Sequence, residues 1–397
     1  MTHDWLIGRR RVAAAVQGTP DCVPIYAALT EHARYLFGIP ARTFYTVPEV
    51  FVEAQLLVSE YYGLDLPAVH GDVINIEAEA LGRKVIYRPR SSPLLEPGPP
   101  LYATRTEIDA MPEIDPYRAG RMPFMLEVYR LTGERTGLPA ERWFTAPFSL
   151  LCAVQGYERV VRDAAHDPAC LHHLLATLRE RVLLPWIRTS LQHELPTWAA
   201  TGDDPWASFP IITPDMYREY VLPEVVALQQ ILAAGGYRIA VMGAWGDART
   251  DDPASVLEER VRLQGALRGL DPDVQRLGPE LYAQIAERHG VALGLGLDSR
   301  LIHDGPVEAI VGRVRNYIDR AARRGRLTLI INNVPANTPV AHIQAVVAAT
   351  RLYGQYPIGD PLDALDFKLP ACEPFADFAR RRGTLSIEHG ESFGDHE

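Results

Sequence analysis

Short apolar runs alternate with long helical stretches along this chain, and that rhythm constrains its fold more than any single motif. The runs are 21–29 (DCVPIYAAL), 66–74 (LPAVHGDVI), 142–150 (RWFTAPFSL), 196–203 (PTWAATGD), 237–246 (YRIAVMGAWG), 263–270 (LQGALRGL), 291–298 (VALGLGLD) and 327–334 (LTLIINNV). Helical patterns fill stretches between them, such as 157–195, 213–235 and 305–325. The last of these opens after Asp304-Gly305-Pro306, with the proline expected in the first turn. Strands separated by helices pair in parallel, because each crossover helix returns the chain to the same end of the sheet. Eight such runs predict an α/β fold, a single (β/α)8 TIM barrel covering residues 1–397 as one domain. The proline-rich segment 88–120 reads as an irregular excursion after the second strand, and the polar segment 373–397 as a partly disordered tail.

Composition narrows the function classes. A chain of 397 residues often holds two or three domains, but α/β barrels reach this length as one. Apolar residues make up 47%, enough for a large core, and no apolar run approaches the roughly 18 residues that span a bilayer. The formal net charge of −10 argues against nucleic acid as a partner. Arg9, Arg10 and Arg11 read as the solvated face of a short amphipathic helix, and the N-terminal segment lacks a signal-peptide pattern. Cys22, Cys152, Cys170 and Cys372 form no CxxC pair, so a reducing cytoplasm is the expected home. There is no 20–50-residue repeat.

A barrel carries its chemistry at the carboxyl ends of its strands. That rule selects His70 and Asp72, Asp203 and Asp204, Trp245 and Asp247, Asp298, and Asn332 and Asn333. Asp72 suits a catalytic carboxylate, as acceptor for a cationic intermediate or as an acid–base group; a helix cap is the other reading. Room for a ligand is expected over Gly71, which has no side chain. His70, two residues earlier, would share Asp72's face on an extended strand; it is either that carboxylate's acid–base partner or a hydrogen-bonded core histidine. Asp203, Asp204 and Trp206 form GDDPWAS, which reads as a holder of a hydroxylated, cationic or divalent-metal ligand, or as a proline turn with solvated acids. Asn332 and Asn333 suit either orientation of a carbonyl or carboxylate, or a turn. Glu31, His32 and Arg34 follow the first strand and would sit over the barrel mouth, where His32 and Arg34 read as substrate-binding residues, Arg34 as a bidentate carboxylate binder, or as surface helix residues. Asp298 either faces the pocket or caps the next helix. The glycines of the run 292–296 lie within a strand, so they are read as packing devices and not as a dinucleotide fingerprint.

Several segments, in order, resemble the uroporphyrinogen decarboxylase (URO-D) superfamily: PDCVPIYAAL, HGDVINIEAEALG at 70–82, APFSLLCAVQGYERVVRDAAHDP at 146–168, ITPDMYREYVLP at 212–223, GLGLDSRLIHDGPVEAI at 294–310 and NTPVAHIQAVVAATRLYGQYP at 337–357. The resemblance implies a URO-D-like barrel. In the decarboxylase branch, which uses no cofactor, an aspartate stabilises a protonated pyrrolic intermediate, arginines near the N-terminus hold substrate carboxylates, and a tyrosine and a histidine complete the site. Asp72 falls at the aspartate position. In TEHARY, Thr30 stands where the first arginine is expected and Arg34 keeps the second, while the tyrosine and histidine positions fall near Ala153 and Asn332. A substrate with many carboxylates needs several placed cations, so these departures argue against uroporphyrinogen itself.

The other branch holds zinc in methyltransferases that serve corrinoid proteins. Its His-x-Cys and later cysteine would fall on Gly243, Trp245 and Asn332, none of them a thiolate or an imidazole, with Trp245 read as an aromatic plug filling the metal's volume. The expectation is therefore a metal-independent lyase, of decarboxylase type, acting without a cofactor on a small carboxylated or aromatic substrate, alone or as a homodimer. The alternatives are a methyltransferase working with a separate corrinoid protein, and a barrel that binds a ligand without chemistry.

Overall fold

The computed structural model describes residues 4–72, 74–89 and 91–383. Among them lie the strands β1 (Ile25–Ala27), β2 (Val85–Arg88), β3 (Ser91–Leu95), β4 (Trp143–Thr145), β5 (Ala199–Asp203), β6 (Arg238–Met242), β7 (Ala266–Gly269), β8 (Ala292–Leu297) and β9 (Leu327–Ile331). Their contacts divide the chain into two compact units. One comprises the described residues up to Phe44, Glu49–His70 and those from Ala254 onward; the other comprises Tyr45–Pro48 and Gly71–Pro253.

In the first unit, β1, β9, β8 and β7 form a parallel sheet in that order. Alternate residues of a strand face opposite sides. Ile25, Ala27, Leu267, Leu293, Leu295, Leu297, Leu327, Leu329 and Ile331 are all buried and join one hydrophobic cluster with Val314, Tyr317, Ile343 and Val346 of the helices Val307–Tyr317 and Val340–Tyr353. The other side of the same strands carries Tyr26, Arg268, Gly294, Gly296 and Ile330, with Asn332 just past β9. The glycines do act as packing devices. A Cβ on Gly294 would stand 2.8 Å from Ile330 Cδ1, and one on Gly296 would stand 2.2 Å from Asn332 Nδ2.

In the second unit, β4, β5 and β6 form a parallel sheet. Gly202 at its centre lets the Phe144 ring lie flat on the strand, where a Cβ would meet Cζ at 2.6 Å. Arg142, just before β4, is buried yet satisfied. It donates to the carbonyls of Ala140, Ser190, His193 and Leu195, tying β4 to the end of the helix Leu184–Gln192.

Seven of the eight expected runs contain a strand; 66–74 does not among its described residues. The reason lies in its amides. Ala68 N–H donates to Ser59 Oγ at 3.2 Å and His70 N–H to Gln55 Oε1 at 3.1 Å, so side chains of the helix Pro48–Tyr62 take the bonds a neighbouring strand would have taken. The excursion 88–120 is also more regular than expected. Val85–Arg88 and Ser91–Leu95 pair antiparallel, and the helix Arg105–Asp109 starts with a reciprocal cap between Thr104 and Glu107. Pro306 is the residue before its helix and not within the first turn. Phe375–Arg382 forms a helix whose Phe375 and Phe378 join the core, while 384–397 lie outside the described residues.

The first unit is pinned at Asp65, only 2% exposed. Its carboxylate accepts from Ile25 N–H at 2.7 Å, where β1 begins, and from Arg11 Nη1 at 2.5 Å; Arg351 Nη1 lies 3.0 Å away. One buried charge thus joins β1 to an early helix and to a late one. Replacing Asp65 by Ala removes the shared acceptor of Ile25 N–H, Arg11 and Arg351, leaving Arg11 on Asp21 and Arg351 on Gly63 O, and the expected loss is about 2 kcal/mol of unfolding free energy, measured by denaturant titration. A change within experimental error would show that water satisfies these arginines equally well.

Candidate active site

In the second unit a buried ionic cluster surrounds Asp72, which is 9% exposed. Asp72 Oδ1 accepts from Asn75 Nδ2 at 2.6 Å, and Oδ2 accepts from Arg121 Nη2 at 2.6 Å. Arg121 Nε also donates to Glu79 Oε2 at 2.5 Å, and its guanidinium lies 5.6 Å from the Tyr87 ring centre. Asn75 is fixed in turn by Pro93 O at 2.8 Å. No backbone amide bond to the Asp72 carboxylate is seen among the described residues, so it is held as an ion pair and not as a helix cap. Burial pushes its carboxyl up to about 6 against the opposing pull of Arg121 and Asn75.

The room expected over Gly71 is not there. A Cβ on Gly71 would meet Met125 Cε at 2.5 Å, so the glycine makes way for a methionine and not for a ligand. Val73, the next residue along from Asp72, lies outside the described residues.

At the ends of β5 and β6, Asp204 is buried. Its Oδ1 accepts from Ser149 N and Oγ at 2.9 and 2.6 Å, tying β5 to the helix Pro147–Gln155, so it is not one of the solvated acids of a turn. Asp203 points its Oδ1 at Gly243, where a Cβ would stand 1.6 Å away. Trp206 stacks on Tyr157 at 5.2 Å. Asp247 is buried at the start of the turn Asp247–Arg249. Trp245 is 41% exposed, so it is not the buried plug expected; against Gly243, a carboxylate takes that space.

In the first unit, Tyr26 Oη and His70 Nε2 are hydrogen-bonded. Burial first, and the Arg268 charge second, push His70 down to about 3, so it is neutral at physiological pH. Arg268 Nη2 donates to Asn332 Oδ1 at 2.8 Å. Asn333 is exposed. Asp298 takes its capping alternative, accepting from Arg300 N at 2.8 Å and Leu301 N at 3.4 Å. His32 is fully buried, with Nδ1 on Ala336 O at 2.9 Å and Nε2 on Tyr62 Oη at 2.7 Å, and desolvation lowers it to about 4: a core histidine. Arg34 is neither surface-exposed nor open-handed. At 1% exposure, its Nε and Nη2 both bond Glu31 Oε2, at 3.1 and 2.7 Å, and Nη1 takes Ile39 O.

Sequence reasoning missed Arg121, Glu77, Tyr26 and Arg268. The last two were within reach, because strand alternation sets them opposite the aliphatic face; Arg121 stands just past the stretch 88–120 that reads as irregular.

In each unit, polar side chains stand at or near the carboxyl ends of parallel strands, the arrangement of barrel enzymes. The comparisons make this specific. The family model for uroporphyrinogen decarboxylase (URO-D) matches residues 8–353, and the chain belongs to that family. Its fold class is the family's α/β (β/α)8 barrel. It is 23% identical over 349 residues to a uroporphyrinogen decarboxylase of Xanthomonas campestris pv. campestris, covering 83% of this chain and 90% of that one. It is 26% identical over 232 residues to a methylated-thiol–coenzyme M methyltransferase of Methanosarcina mazei, covering 56% of this chain and 60% of that one. Among solved structures, a methyltransferase from Methanosarcina mazei superposes with a TM-score of 0.70 at 17% identity, over 86% of this chain and 98% of that one. No described helix is long and apolar enough to cross a membrane.

The positions matching the zinc-binding branch do not fit zinc. Gly243 has no donor and its Cβ space is filled by Asp203, Trp245 offers an indole, and the Asn332 amide oxygen is engaged by Arg268. Among the described residues no group of three or more His, Cys, Asp or Glu could hold a metal ion.

Glu77, fully buried near Asp72, accepts from Thr145 N at 2.8 Å and from Thr145 Oγ1 at 2.5 Å. Burial pushes it up to about 7 despite these bonds. A raised carboxyl favours the folded state most below its unfolded value near 4.5, and that contribution is lost as pH rises through about 7. The thermal midpoint should therefore fall between pH 5 and 8, and Glu77→Gln should flatten that fall, a difference on the order of 3 kcal/mol at pH 8. Parallel curves for both proteins would show that Glu77 carries no buried charge.

Proposed function

We propose that this chain is a metal-independent lyase of carboxy-lyase type, acting without a cofactor on a small carboxylated or aromatic molecule. The observation that carries the reading is the Asp72 carboxylate, buried and clamped at both oxygens by Arg121 and Asn75. A proton taken from solvent water adds to the electron-rich ring carbon that bears the carboxylate and creates a cation. The carbon–carboxyl bond then breaks, its electron pair neutralises the cation, and carbon dioxide leaves. A fixed negative charge beside that cation lowers the barrier without reorganising at the moment of reaction. Arg121 and Asn75 supply the rigidity, and Asp72 must be ionised to act.

A methyltransferase serving a separate corrinoid protein is the second reading, favoured by the names of the Methanosarcina mazei relatives. It ranks second because Gly243, Trp245 and Asn332 give zinc nothing to bind. Uroporphyrinogen is not the expected substrate, since Thr30 carries no charge and Arg34 is neutralised by Glu31.

The test is carbon dioxide release across a panel of aromatic and heteroaromatic carboxylic acids, with zinc measured by elemental analysis on the same preparation. The expected result is turnover on a panel member with well under one zinc per chain. Its acid limb should lie near pH 6, where Asp72 gains its proton. Asp72→Asn should lose at least about 10²-fold in turnover. Stoichiometric zinc whose removal abolishes activity would overturn the reading in favour of methyl transfer, and an active Asp72→Asn would remove Asp72 from the chemistry.

A further inference from the structure

The helix Val307–Tyr317 of the first unit buries Ile310, Val314 and Tyr317 in the core and turns another side toward an open cleft of about 470 Å³. The far wall of that cleft is the segment around and after the turn Leu362–Ala364. The helical wall carries Glu308, Val311, Gly312 and Arg315. Residues three, four and seven apart on a helix share a face, and seven residues span about 10 Å. An acid and a cation therefore stand two turns apart, with a valine and a glycine between them. Leu365, 40% exposed, and Phe367 give the far wall its apolar surface.

The chain itself makes no use of this charge pattern. The Glu308 and Arg315 side chains form no hydrogen bond or ion pair with another described residue. Neighbouring arginines do: Arg313 pairs with Asp271, Arg320 with Glu280 at 2.9 Å and Arg323 with Asp319 at 2.7 Å. Packing within the chain does not require Gly312 either. A Cβ there would meet nothing within 4 Å, although glycine inside a helix is less stable than alanine.

We infer that two copies of the chain meet on this face, their Val307–Tyr317 helices antiparallel about a two-fold axis that passes between Val311 and Gly312. Positions 308 and 315 lie equally far from that point, so the axis sets Glu308 of each copy against Arg315 of the other. The patch thus complements itself, as a two-fold contact demands. Gly312 sits beside the axis, where the helices come closest, and its missing side chain lets the backbones approach. Burying Leu365 and Phe367 supplies the attraction, while exposed ion pairs add little affinity and fix the orientation. Of the other acids lining the cleft, Asp366 pairs with Lys368 at 3.4 Å and Asp363 is exposed to water. A small ligand suits the cleft less well, because it needs polar groups that converge, whereas these carry opposite signs about 10 Å apart. One helix and one short segment from each copy make a small contact, and interfaces under about 1,200 Å² in total are weak. The dimer is therefore reversible, with a dissociation constant on the order of 10 μM.

Sedimentation of the full chain tests it. Between about 1 and 100 μM the protein should pass reversibly from monomer to dimer. By symmetry, Glu308→Arg turns both cross-pairs into arginine facing arginine, and Arg315→Glu turns both into glutamate facing glutamate. Each variant alone should dimerise at least about tenfold more weakly. Mixed in equal amounts, the two should recover most of the original affinity as a heterodimer, because every arginine then meets a glutamate. Gly312→Leu changes no charge and should also weaken the dimer at least about tenfold, by holding the helices apart. Thermal melts establish that each variant is folded, and Gly312→Leu, whose side chain enters open space, decides the matter should a charge reversal not fold. A chain that stays monomeric at about 100 μM would overturn the interface and leave the cleft to a small ligand. A dimer indifferent to both reversals, folded variants that do not recover on mixing, or full affinity in folded Gly312→Leu would each overturn it as well.

Discussion

The strand alternation of the sheet β1-β9-β8-β7 is the constraint from which the rest of the first unit follows. A strand presents successive residues to opposite sides, so every position committed to the helices is lost to function and every other one is released from packing. Here the commitment is complete: Leu293, Leu295, Leu297, Leu327, Leu329 and Ile331 are all at or below 2% exposure. The intervening positions lie outside that cluster and hold a tyrosine, an arginine, an isoleucine packed over Gly294, or no side chain at all. Asp65 then fixes where β1 starts, because its bond to Ile25 N–H sets which residues of that strand face inward. A one-residue slip would exchange Ile25 for Tyr26 and bury a phenol among leucines.

The second unit solves a different problem, that of keeping carboxylates buried. Asp72, Glu77 and Asp204 are each under 10% exposed, and each has a dedicated set of donors. Asp204 takes an amide and a hydroxyl from one residue, Ser149. Glu77 takes the same pair from Thr145. Asp72 alone is held by a cation, Arg121, which it shares with Glu79. Amide and hydroxyl donors satisfy lone pairs without setting a counter-charge beside the acid. Burial raises both carboxyls, opposed at Asp72 by the Arg121 charge and at Glu77 by the Thr145 hydrogen bonds. The partners differ in kind: Asp72 faces a cation, whereas Glu77 is held by uncharged donors that anchor β4.

The repeating strand–helix rhythm made the fold class legible, because periodicity survives when individual residues drift. What failed was local. Residues 66–74 have the composition of a strand, yet Gln55 and Ser59 on a preceding helix intercept the amides of His70 and Ala68, a contact that no pattern within the segment reveals. Strand-end position named Asp72, Asp203 and Asn332, but it could not tell a solvent-facing arginine from Arg34 folded back on Glu31 three residues away. Nor could it find Arg121, whose partners are 42 and 49 residues distant in sequence. Residue type announces what a side chain can do; partners at long separation decide what it does.

Gly243 shows how such partners move together. Its φ of +84° lies in the left-handed region, where a side chain is strained whatever the space around it. The space itself is taken, since Asp203 Oδ1 stands 1.6 Å from where a Cβ would be. An imidazole at this position would therefore need two changes at once, a different backbone turn after β6 and a carboxylate moved off the end of β5. Asp203 pairs in register with Met242, the residue just before Gly243, so the two sites are coupled through the sheet itself. Placing a histidine at 243 while keeping the aspartate would set a bulky ring against a fixed strand end. A side chain at 243 is thus excluded twice over, by the backbone turn after β6 and by the Asp203 carboxylate at the end of the neighbouring strand.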